Sequence, residues 1–192
     1  HLVDLYSLDR NIVLFRNLLH FWERDSDAQP LLAVLCAYAR DPIFRATAPF
    51  ILACQEGSIV TRQAVETFIN ELESGRFSDA TLKSTAQNIN SSWTKSGHLN
   101  GRAIKVRSRA QPTPGAVSYA LLLGYLTGVR GRALFETEYT KLLDCGFDKS
   151  LELAQEASRK GWIVVKRVSD IIEVLFPKLI NKEEMEWLRE QS

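Results

Sequence analysis

The sequence predicts a mainly α-helical protein with a small β-hairpin near its C-terminus, and three observations predict it. Apolar residues recur at spacings of three and four through most of the 192-residue chain. Good N-cap residues stand immediately before these runs, among them Asp41, Thr61, Asp148 and Asn181, and Gly57, Gly75, Gly97 and Gly146 follow them. Near the C-terminus the periodicity changes to two β-branched runs on either side of Val168-Ser169-Asp170.

Taken in order, Ser7 or Asp9 caps a first helix whose buried stripe is Ile12, Phe15, Leu18, Leu19 and Trp22, and a second helix follows Pro30. Asp41-Pro42 supplies a cap and a first-turn proline to a third helix, 43–55, with a kink expected at Pro49. Ser58-Ile59-Val60 is a short strand, and Thr61 caps a fourth helix with Val65, Phe68, Ile69 and Leu72 on one face. Ser78 or Asp79 caps a fifth helix that buries Leu82, Ala86, Ile89 and Trp93.

Asn100-Gly101 is a strong two-residue hairpin signal, and it pairs His98-Leu99 with 103–107. In the second strand Ile104 and Val106 are expected to face the core, and Lys105 and Arg107 the solvent. Helix, short strand, two helices and a hairpin is the order of a winged helix-turn-helix. The fold class is therefore a mainly α protein with a central winged helix-turn-helix and a small C-terminal hairpin. The chain divides into an N-terminal helical segment (1–41), the winged module (42–111) and a C-terminal region (112–192). That region reads as helices over 114–126, 132–143 and 148–160, a hairpin of 162–167 with 171–176 whose second run also fits a helix, and a closing helix after Asn181.

The net charge of +1 conceals an asymmetry. Between Asp79 and Glu136 there is no acid, while Lys83, Lys95, Arg102, Lys105, Arg107, Arg109, Arg130 and Arg132 all lie inside. With 24 cations and 23 acids in all, the rest of the chain holds 16 cations against the 23, a net of −7. The outward face of the fifth helix is as unusual, since Thr81, Ser84, Gln87, Asn88, Ser91 and Lys95 occupy positions that stability alone fills with Glu and Lys. Small hydroxyls, carboxamides and lysines approach phosphates and base edges, where a carboxylate is repelled. The candidate DNA-binding set is Lys83, Ser84, Gln87, Asn88, Ser91, Lys95, His98, Arg102, Lys105, Arg107, Arg109, Arg130 and Arg132.

An enzyme reading finds little support. Only His1, His20 and His98 are present, with no metal-ligand spacing and no Walker or dinucleotide glycine pattern. No catalytic residue, metal or cofactor is expected. Cys36, Cys54 and Cys145 are widely spaced and read as buried thiols of a cytoplasmic protein, and no apolar run is long enough for a membrane span.

At "FSDATLKSTAQNINSSWTKSGHLNG" and "AQPTPGAVSYALLL" the chain resembles the BrxA family of BREX bacteriophage-exclusion systems, over about 40–145. The resemblance implies a compact, mostly helical protein that binds double-stranded DNA without a known catalytic site, with other proteins of the defence system as partners. A winged-helix transcriptional regulator and an adaptor that docks an acidic protein remain alternatives.

Overall fold

The computed structural model describes residues 10–190, and the Ser7 or Asp9 cap lies outside them. The protein is mainly helical, with a small hairpin sheet near the C-terminus. Two compact units are present. Ala37–Gln111 forms one, and the described residues up to Cys36 fold together with those from Pro112 onward to form the other. No helix among the described residues is long and apolar enough to cross a membrane.

In the unit Ala37–Gln111, local chemistry sets the helix starts. Asp41 Oδ1 accepts from Ile43 N and Phe44 N at 2.9 and 3.1 Å, opening α3 (Pro42–Ala53) after α2 (Gln29–Arg40), which runs into this unit. The helix α3 continues through Pro49 and ends at Ala53, two residues earlier than its periodicity suggests. Thr61 caps α4 (Arg62–Leu72) and Ser78 caps α5 (Asp79–Lys95). Val65 and Ile69 form the buried face of α4, whereas Leu72 is exposed.

The core of this unit is Trp93. Its indole stacks on Phe44 with centroids 4.7 Å apart, meets His98 edge-on at 4.9 Å, and donates from Nε1 to Thr47 Oγ1 at 3.2 Å. Ala86, Ile89 and Asn90 complete the buried stripe of α5.

Strands β1 (Leu99–Asn100) and β2 (Val106–Arg107) pair antiparallel, with Leu99 opposite Arg107 and Asn100 opposite Val106. Ser58-Ile59-Val60 adds a bridge on the other side of β2, through Val60 N to Lys105 O at 2.8 Å and Arg107 N to Ser58 O at 2.9 Å. The connection is thus a five-residue loop, 101–105, and not the two-residue Asn100-Gly101 turn that the sequence suggests.

The expected facing of the second strand is also reversed. Ile104 is 63% exposed, and Arg107 is only 6% exposed. Its Nε donates to Ile51 O at 3.0 Å and its Nη1 to His98 O at 3.3 Å and to Ser108 O. A guanidinium offers five donors, and here main-chain carbonyls at the end of α3 and along the strands receive them. The cation also lies at the negative end of the α3 dipole.

In the other unit, α6 (Pro114–Leu126) is buried from Gly115 to Tyr125 and forms the core. Around it are α1 (Arg10–Arg24), α7 (Glu138–Lys141), α8 (Phe147–Arg159), the hairpin β3 (Val164–Val168) and β4 (Ile171–Leu175), and α9 (Lys182–Glu190). The buried face of α1 is Val13, Leu14, Asn17 and Phe21, while Ile12, Phe15 and Leu19 are exposed, contrary to the predicted stripe. Tertiary bonds select this face, since Tyr119 Oη donates to Leu14 O at 3.0 Å and Asn17 Nδ2 donates to Leu179 O at 3.0 Å. The helix expected over 132–143 is a 3-10 turn, Gly131–Glu136, followed by the one-turn α7, because Thr137 stops the first and caps the second. Asn181 and Glu184 cap α9 reciprocally at 2.8 Å each way, and Glu184 also holds Arg16 at 2.7 Å.

Two substitutions separate the buried cation from the exposed isoleucine. Arg107→Ala is expected to lower stability by about 2–4 kcal/mol, since several carbonyls lose a charged donor. Ile104→Ala should stay within about 0.5 kcal/mol of the parent, as a surface change does. Urea denaturation checks both.

Candidate functional site

The site is built on α5. Because Ala86, Ile89, Asn90 and Trp93 turn inward, helical geometry turns Lys83, Ser84, Gln87, Asn88, Ser91 and Lys95 outward, and all six are exposed. Ser84 Oγ donates to Thr81 O at 3.0 Å. Among the described residues the side chains of Gln87, Asn88 and Ser91 have no hydrogen-bond partner, and Lys83 and Lys95 have no acidic one. This face therefore offers unspent carboxamides and ammonium groups, and beyond Asp79 in its first turn α5 carries no carboxylate to compete for them.

Beside this face lies a groove of about 590 Å³, bounded by the start of α4, the C-terminal half of α5 and the 101–105 loop. Arg62, Lys95, Arg102 and Lys105 line it, and no acidic residue does. Arg62 is held by Glu66, one turn along α4, at 2.7 Å. Lys105 Nζ donates to Gly101 O at 2.6 Å, so its ammonium folds over the loop without losing its charge. Ile59 and Ile104 form an apolar rim, 64% and 63% exposed.

Gly101 shapes the loop. Its φ is +103°, and a Cβ there would stand 2.0 Å from Ile104 O, an overlap that no side chain relieves. Asn100 Oδ1 accepts from Gly101 N at 2.7 Å and fixes the same bend. Arg102, Ala103 and Ile104 are exposed as a result.

The predicted set divides accordingly. Lys83, Ser84, Gln87, Asn88, Ser91, Lys95, Arg102 and Lys105 stand on the α5 face, the groove or its rim. Arg109 is exposed and paired with Glu56 at 2.8 Å. His98 and Arg107 are corrections. His98 is fully buried, with Nδ1 2.7 Å from Ser96 Oγ, and the guanidinium of Arg107 is spent on carbonyls, so neither side chain is available to a phosphate.

Arg130 and Arg132 belong to the other unit. Arg130 lies 3.6 Å over the Tyr125 ring and donates to Tyr125 O, and Arg132 lies 4.1 Å over Phe147 and 3.8 Å from Glu136. Both act in packing there.

Sequence reasoning passed over Arg62 and Asn90. The signal for Arg62 was the Thr61 cap itself, since a cation beside a helix start marks a place where anions are welcome.

Cys36 is buried, as expected, but Cys54 and Cys145 are only half-buried, and none of the three is in a disulfide. Burial pushes the Cys54 and Cys145 thiols up, which keeps them protonated near neutral pH. Among the described residues no cluster of three or more His, Cys, Asp or Glu could hold a metal ion.

No protein-family model matches this chain, no curated protein matches it, and no solved structure matches it.

Gly101→Ala should cost more than about 1 kcal/mol, from both positive φ and overlap with Ile104 O. Gly75→Ala is the comparison, because its φ is +74° but an added Cβ meets nothing within 4 Å. Melting temperatures of the two variants are expected to rank Gly101→Ala below Gly75→Ala.

Proposed function

We propose that Ala37–Gln111 is a winged helix-turn-helix that binds double-stranded DNA and performs no chemistry on it. In this reading α5 enters the major groove and the 101–105 loop is the wing along the backbone. The observation that carries the reading is the groove lined by four cations and no acid, adjoining a helix that carries no carboxylate after Asp79 in its first turn. A duplex carries one charge per about 1.7 Å of axis, and a surface that releases its counterions gains affinity without reading sequence. The outward groups of α5 are short, so any base preference is modest and most contacts are to phosphate.

The resemblance to the BrxA family adds the setting. The protein is a DNA-binding component of a BREX-type phage-defence system in the bacterial cytoplasm, working beside other proteins of that system.

Fluorescence anisotropy with a random duplex across a salt series tests the reading. With Lys83, Lys95, Arg102, Lys105 and one or two neighbours on phosphates, log affinity should fall against log salt with a slope of roughly −4.5 to −5.5. Changing Lys95, Arg102 and Lys105 together to Ala should reduce that slope by roughly 2 to 3 and weaken all sequences alike. Ser84→Glu should also weaken binding, because it sets a carboxylate against phosphate. A flat salt response, or a triple variant that binds as the parent does, favours an adaptor that docks an acidic protein.

A further inference from the structure

We propose that the groove between α4, α5 and the 101–105 loop is an anchor for one phosphate group, taken from the backbone of the duplex. The inference rests on the DNA-binding reading above and adds a defined seat to it.

The first observation is the start of α4. Thr61 Oγ1 accepts from Ala64 N at 3.1 Å, but the amides of Arg62 and Gln63 have no acceptor among the described residues. Both residues line the groove, at the positive end of an 11-residue helix. Free helix amides and the dipole together favour an anion there.

The second observation is independent and lies on α5. Asn90 is 5% exposed, lines the same groove, and its Oδ1 has no hydrogen-bond partner. A buried polar atom left unpaired is rare in a folded protein and marks a place completed by something else. A phosphate oxygen cannot satisfy Oδ1. The Nδ2 of the same carboxamide also has no hydrogen-bond partner among the described residues and is not closed off as Oδ1 is, so it is the donor that a phosphate oxygen can take.

The third observation is the state of the cations. Among the described residues Lys95 and Arg102 have no hydrogen bond or ion pair, and Lys105 reaches only the carbonyl of Gly101. Arg62 Nε stands 2.7 Å from Glu66 Oε1, so its charge is shared with that carboxylate and the groove relies on the other three cations. Two main-chain donors, one carboxamide and three cations without an acidic partner therefore line a groove that no acidic residue lines. That chemistry suits a tetrahedral phosphate, whether from a duplex or free in solution.

The test uses the full chain, labelled with nitrogen-15, in a heteronuclear NMR titration with two probes. Inorganic phosphate is compared with chloride at equal ionic strength, and a random duplex is added separately. The amides of Arg62 and Gln63 and the Asn90 side chain should shift with duplex and, more weakly, with phosphate, but not with chloride. In parallel, Arg62→Pro is compared with Arg62→Ala. Both lose the guanidinium, but only proline loses the amide, and proline is tolerated at the first helical position after an extended Thr61. Arg62→Pro should bind duplex about tenfold more weakly than Arg62→Ala.

If duplex shifts Ser84, Asn88 and Ser91 but not Arg62, Gln63 and Asn90, or if the two variants bind alike, the anchor is wrong and the DNA reading stands. If duplex shifts none of these residues, both fail, whatever inorganic phosphate does.

Discussion

The burial of Arg107 is the constraint on which the candidate site depends. Its guanidinium joins the last turn of α3, through Ile51 O, to the strands, through His98 O and Ser108 O. A strand has period two, so fixing Arg107 inward fixes which side of the strand every neighbour takes. Val106 and Ile104 turn away from that interior, and Lys105 bends back over Gly101 at the edge of the groove. A cation that sequence alone assigns to the surface thus organises the surface by leaving it. The bridge from Ser58-Ile59-Val60 to the same strand then brings the start of α4 beside the loop.

On α5 the residues that hold the helix in place and those left open to solvent fall on different faces. The inward face is ordinary, with Trp93 packed on Phe44 and capped by Thr47. On the outward face Ser, Asn and Gln replace better helix formers, and Ser78 at the N-cap offsets part of that cost by accepting from Thr81 N at 3.3 Å. Asn90 stands between the two faces, buried with its Oδ1 unpaired, and there the local rule that buried polar atoms find partners is broken. Breaches of this kind concentrate where a protein meets a ligand.

Much of this was legible in the sequence because caps are local. Asp41-Pro42, Thr61, Ser78, Thr113-Pro114 and Asn181 each begin a helix where their chemistry indicates, and the α5 stripe follows from spacing alone. The β3–β4 hairpin was also legible, from two β-branched runs of the right length. What was not legible depends on distant partners. In α1 two overlapping sets satisfy helical spacing, and the buried one includes Asn17, which looks polar until Leu179 O receives its carboxamide. Asn100-Gly101 gave the bend but not the loop length, because Gly101 answers to Ile104 O and not to a tight-turn geometry. Arg107 and His98 were misassigned for one reason: sequence displays charge and polarity, and not the carbonyls or hydroxyls that will take them up. The joining of residues up to Cys36 with those from Pro112 onward is likewise a matter of long-range packing, with no signal in either segment.

The central claim is that the unpaired cations of Ala37–Gln111 meet a duplex, while those of the other unit do not. Lysine acetylation under single-hit conditions, with and without excess random duplex and read by mass spectrometry, tests it residue by residue. The account predicts that Lys83, Lys95 and Lys105 lose reactivity when duplex is present, and that Lys149, Lys160 and Lys166, which pair with Glu152, Glu156 and Glu173, keep theirs. Protection of the second group with the first left reactive, or no protection anywhere at low salt, would contradict it.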